Sequence, residues 1–174
     1  MASPPAAVVL FDMRHIFALL LALLIAALAG TAHADVTSRV DGSGPDAATF
    51  EGSVTLTGFT AQGDRVVAVG TLSGTLADAA GETVGEADGV PLRLALDRGS
   101  LRATCDLLAA RLGPSEAQVG GRAVRLEAIE LEVPARAGGA PLRDLLCRLA
   151  EALNGQPSAG SLAESLDAAL RALG

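Results

Sequence analysis

Residues 65–77, RVVAVGTLSGTLA, carry the longest unbroken two-residue rhythm in the chain. Extended, they place Val66, Ala68, Gly70, Leu72, Gly74 and Leu76 on one side and Val67, Val69, Thr71, Ser73 and Thr75 on the other. Both faces suit a pleated strand, so the spacing predicts a strand in mid-sheet. Gly70 and Gly74 leave room on its apolar face, either for a bound apolar ligand or, the preferred reading, for a helix to dock closely.

A second alternating run covers 50–59, with Phe50, Val54 and Leu56 on the face that also holds Gly52 and Gly58. Phe59 breaks the parity, as at a bulge or a strand end. Thr60-Ala61-Gln62-Gly63-Asp64 joins the two runs as a hairpin turn, with Gly63 supplying the positive φ. Residues 78–89, DAAGETVGEADG, read as an acidic, glycine-rich surface loop. Leu92, Leu94 and Leu96 then alternate with Arg93 and Ala95, and Arg98-Gly99-Ser100 reads as a turn. Leu101, Ala103, Cys105 and Leu107 share one strand parity while Leu108, Ala110 and Leu112 share the other, which predicts a register change near Leu107-Leu108. Gly113-Pro114 and Gly120-Gly121 mark turns, and 122–135 forms one strand or two with a kink near Ala128.

Past Gly138-Gly139 the rhythm becomes helical. Leu142, Leu145, Leu146, Leu149 and Leu153 recur at helix spacing behind Pro141, predicting a helix over 141–154. Ser161-Leu162-Ala163-Glu164 has capping-box spacing and opens a second helix over 161–173, with Leu162, Leu166, Leu170 and Leu173 on one face. Polar residues 35–49 read as a flexible lead-in. The expected architecture is one mainly β (α+β) domain over 50–174: an antiparallel sheet of about five to seven strands, as a sandwich or open barrel, with two C-terminal amphipathic helices.

The start of the chain changes this picture in one respect. Residues 13–34 read as a Sec-type signal peptide, with Arg14 and His15, the apolar stretch 16–28, and Ala32-His33-Ala34 before a cleavage point between Ala34 and Asp35. The apolar stretch falls short of the roughly 20 residues of a spanning helix, so no permanent membrane anchor is expected. Residues 1–12 play no part in such a signal, and Met13 is a candidate true start. The expected compartment is secreted, periplasmic or extracellular.

Removing this leader takes away both histidines (His15, His33), both methionines and two of the four phenylalanines, in a chain without Trp, Tyr or Lys. What remains lacks the parts for a Ser-His-Asp or Cys-His site, a histidine-held metal or a Schiff-base lysine. No cofactor and no transition metal are expected. The formal charge of −7 at pH 7, with arginines scattered along the chain, argues against nucleic acid as a partner. Carboxylates are the one catalytic device left. Glu127, Glu130 and Glu132 are the densest group, but Glu130 and Glu132 alternate with Ile129, Leu131 and Val133 as a solvated strand face does. Asp78, Glu82, Glu86 and Asp88 have oxygen ligands for calcium, in a spacing that matches no defined calcium loop.

Val66-Val67-Ala68-Val69-Gly70-Thr71-Leu72 with Gly74-Thr75-Leu76, Cys105 ahead of Leu112-Gly113-Pro114, and Leu145-Leu146-Cys147 together resemble a group of small secreted bacterial proteins of unknown function. That resemblance covers about residues 50–154 and departs over 115–121 and in the second helix. It implies an exported β-rich domain and no particular activity.

Cys105 and Cys147 are the only cysteines, and outside the cytoplasm two thiols in one small domain are usually paired. A bridge from a strand to the flank of the first helix is expected, the rival reading being two buried free thiols. The function expected from the sequence is a non-catalytic module that binds a small apolar ligand or an envelope partner. A carboxylate hydrolase and a purely structural envelope protein are the alternatives.

Overall fold

A computed structural model of the chain describes residues 36–173. The expected signal peptide, its cleavage point at Ala34 and Asp35, and the first twelve residues lie outside that range. Eight strands follow in order: β1 (Val36–Ser43), β2 (Thr49–Gln62), β3 (Arg65–Ala77), β4 (Thr83–Ala103), β5 (Leu107–Leu112), β6 (Ser115–Val119), β7 (Arg122–Leu126) and β8 (Ile129–Pro134). A 3₁₀ turn at Ala135–Ala137 leads into helices α1 (Gly139–Asn154) and α2 (Ala159–Arg171). The strands form one antiparallel sheet in the order β6-β7-β1-β2-β3-β4-β5-β8, curled into a half-barrel. Of the two architectures expected, the open barrel is the one found.

The chain changes flank at the break at Glu127-Ala128. Before it, Leu126 pairs with Gly42 of β1; after it, Ile129 pairs with Leu112 of β5. One chain thus passes from one flank of the sheet to the other, tied at the crossing by the Glu127 N–H donating to the Asp41 carbonyl at 2.9 Å. β3 lies mid-sheet as expected, paired along its length with β2 and β4. Val66, Ala68, Leu72 and Leu76 point into the core, each completely buried.

Four expectations are corrected. The lead-in is largely β1, which pairs with β2 from Val36↔Leu56 to Ser43↔Thr49. Only Val40 of β1 is buried, so its own sequence signals a strand weakly and β2 supplies the template. The acidic loop shrinks to residues 78–82, closed by the Asp78 carboxylate, which accepts the N–H groups of Ala80 and Glu82 at 2.9 Å each. The rest of that segment, 83–89, is the first third of β4, with Ala87 inward while Glu86 and Asp88 face water. Arg98-Gly99-Ser100 is a bulge inside β4, not a turn. Ser100 Oγ fills it, accepting from the Arg111 N–H and donating to the Asp97 carbonyl, both at 2.8 Å. The chain reverses instead at 104–106, where Thr104 Oγ1 accepts from the N–H of Leu107 at 3.1 Å. Cys105 therefore sits in a turn, and the parity that placed it on a strand face does not apply.

Leu142, Leu146 and Leu149 of α1 and Leu162, Leu166 and Leu170 of α2 are buried against the sheet and each other. α2 begins at Ala159 because Ser158, not Ser161, is its N-cap: Ser158 Oγ accepts the Ser161 N–H at 3.2 Å. Ser158→Ala should accordingly cost about 1 kcal/mol in chemical denaturation, whereas Ser161→Ala should change stability by only a few tenths. Equal losses at the two positions would contradict this capping assignment.

Candidate functional site

The candidate site is the interior of the half-barrel where α2 meets the sheet. A bulge at Thr57 shifts the pairing of β2 from Leu56↔Gly70 to Gly58↔Val69. It brings Phe59 opposite Ala68, on the core side, and so explains the broken parity of Phe59. Leu108 of β5 and Leu131 and Val133 of β8 reach the same region from the far flank. α2 fills the space between with Leu166, Ala169 and Leu170, leaving a gap of only ≈ 10 Å³ that is lined wholly by apolar side chains. Such a gap is at the lower limit for a single water.

One carboxylate attends this contact. Asp167 Oδ1 accepts the Phe59 N–H at 3.2 Å, and its second oxygen accepts from Arg171 one turn later. Gly58 lies directly beneath, where a Cβ would come within 2.8 Å of Asp167 Oδ1. Sequence reasoning passed over both Phe59 and Asp167 as site residues. The broken parity at Phe59 was the only signal for either.

Gly70 and Gly74 serve neither a ligand nor a helix. A Cβ at Gly70 would run into the Thr55 carbonyl oxygen, and one at Gly74 into that of Glu51, so both glycines admit the backbone of β2. Gly52 and Gly74 are paired across the two strands, and the ring of Phe50 covers them both. Its Cζ would stand 2.7 Å from a Cβ on Gly52 and 2.8 Å from one on Gly74. The aromatic ring supplies the packing surface that the two glycines lack.

The structure brings neither carboxylate group to a common point. Glu127 lies exposed between β7 and β8, and Glu130 and Glu132 stand on the outer face of β8, with Glu130 paired to Arg111 at 3.5 Å. Asp78 spends its carboxylate on closing its own turn, while Glu86 and Asp88 lie on β4. Among the described residues no three His, Cys, Asp or Glu side chains come together as a metal would require. None of the described ionisable side chains is buried. Among the described residues, the gap beside α2 is lined by apolar side chains alone.

Cys105 and Cys147 form a disulfide, with their Cα atoms 4.2 Å apart. It ties the 104–106 turn to the third turn of α1, beside an ion pair of Arg143 with Asp106 at 3.3 Å. No helix among the described residues is long and apolar enough to cross a membrane. No known protein family, curated protein or solved structure matches the chain.

Proposed function

We propose that this protein is an exported, non-catalytic module that binds an apolar ligand in the interior of its half-barrel. The observation that carries this reading is how the barrel is closed. Between Phe59 on β2 and Leu131 and Val133 on β8 the wall is completed by an amphipathic helix and not by a hydrogen-bonded strand. A helix seated on apolar side chains can be exchanged for another apolar occupant without breaking a sheet ladder. The disulfide and the leader-like residues 13–34 support export.

The test uses protein made with its leader and recovered from outside the cytoplasm, its first residue checked as Asp35 by mass spectrometry. Titration with the fluorescent fatty acid cis-parinaric acid should show saturable binding of one molecule per chain, reversed by palmitate. The absence of Trp and Tyr keeps the protein's own emission out of the signal. Fluorescence that rises without saturation, or that palmitate does not reverse, would remove the reading.

A further inference from the structure

We infer that the outer edge of β1 between Val36 and Val40 is a self-association surface, pairing antiparallel with the same stretch of a second copy of this chain about a two-fold axis at Ser38. The inference does not depend on the ligand reading above.

β1 is partnered unequally on its two sides. Toward β2 it is paired along its whole length, from Val36↔Leu56 to Ser43↔Thr49. Toward β7 it is paired only at Gly42↔Leu126 and Ser43↔Arg125, after which the Glu127 N–H takes the Asp41 carbonyl at 2.9 Å. That bond fixes the parity of the strand. The backbone groups of Asp41 point away from β2, and so, two and four residues earlier, do those of Arg39 and Thr37. The contact of Thr37 Oγ1 with Thr55 Oγ1 at 3.3 Å agrees, since side chains approach most closely across pairs that share no ladder bond. Among the described residues no strand pairs with β1 on that side before Asp41. The N–H and C=O groups of Thr37 and Arg39 thus form a short open ladder.

The two end strands of the sheet are covered. β6 abuts β4, where Ser115 Oγ donates to the Arg93 carbonyl at 3.1 Å, and on the same edge Pro91 has no N–H to offer. β8 has α2 beside it, with Leu166 and Leu170 against Leu131 and Val133. β1 carries none of the prolines, lysines or bulges that shield an open edge.

The open stretch is complementary to itself. With the axis at Ser38, Thr37 of each copy faces Arg39 of the other, and each such pair exchanges both of its N–H···O bonds, so every open group is satisfied. Val36 of one copy meets Val40 of the other on the inner face, where Val40 already belongs to the core. Charge permits the same register: each Arg39 faces a threonine, while its own Asp41 and Glu51 neutralise it at 3.8 and 3.9 Å. An axis at Arg39 would instead set two guanidinium groups directly opposite one another. Pairing stops at Val40 because Glu127 already holds the Asp41 carbonyl. A strand pair that short buries less than the roughly 1,000 Å² of a stable interface, so the dimer is weak and concentration-dependent.

Sedimentation equilibrium of the leader-free protein, from micromolar to millimolar concentration, should follow a monomer–dimer equilibrium. Thr37→Pro deletes one outward N–H and leaves the ladder to β2 complete, so it should weaken the dimer at least about tenfold while the urea midpoint stays near that of wild type. Mild oxidation of Ser38→Cys should give a disulfide-linked dimer, because the two Cα atoms meet about 4.5 Å apart across the axis. Thr55→Cys, one strand further in, should stay uncrosslinked under the same treatment. A protein that is monomeric at every concentration overturns the inference and leaves the edge to water or to another chain. A dimer that survives Thr37→Pro, or that crosslinks as readily through Thr55→Cys as through Ser38→Cys, overturns this edge as its seat.

Discussion

Replacing Cys105 and Cys147 together by serine is expected to lower the stability of the domain by about 4 kcal/mol. The bridge closes a loop with a sequence separation of 42, and in the chain-entropy account a loop of that length restrains the unfolded chain by about that amount. Both cysteines are half-buried, so serine hydroxyls there reach water and add little penalty of their own. Small domains are stable by about 5–15 kcal/mol, and the urea midpoint should therefore fall by about 2 M for a slope near 2 kcal/mol per molar. α1 should feel the change most, since the bridge and the leucines at 142, 146 and 149 hold it together. A loss below about 1 kcal/mol would mean that the leucine stripe alone docks this helix.

Phe50→Ala is expected to cost about 3–5 kcal/mol. The ring is 1% exposed and lies over the Gly52–Gly74 pair, neither of which has a side chain that could close the hole. The backbone cannot close it either, because β2 and β3 are already in contact there. Nor can the cavity be refilled from below, since a Cβ on Gly74 would meet the Glu51 carbonyl. Phe50→Ala/Gly74→Ala should consequently be worse than Phe50→Ala alone. Phe50→Leu should lose much less, because it keeps most of the volume. Urea denaturation followed by far-ultraviolet circular dichroism reads all three. Stability of Phe50→Ala within about 1 kcal/mol of wild type would contradict the role given to the ring.

These two sites also show what the sequence could and could not convey. β3 and the two helices were legible because each carries its period in its own residues. The first third of β4, residues 83–89, was not, since Ala87 is the one buried side chain there and Glu86, Asp88 and the glycines give the composition of a loop. The strand exists because β3 offers it an edge, a tertiary cause that no local pattern records. For the same reason Gly70 and Gly74 announced a close approach without saying of what. The disulfide was legible from the cysteine count and the compartment, while the parity argument placed Cys105 on a strand that ends two residues earlier. The site was the least legible of all. Phe59, Leu108, Leu131 and Leu166 come from four elements and meet only after the sheet has curled.

The most direct test of an apolar interior as the binding site is to find where the ligand sits. A fatty acid with a photoreactive diazirine midway along its chain, bound to the exported protein and irradiated, should label peptides holding Phe59, Leu108, and Leu131 with Val133. An excess of palmitate should suppress that labelling. Labelling confined to the outer strand faces, around Thr71 or Glu130 and unaffected by palmitate, would contradict the account.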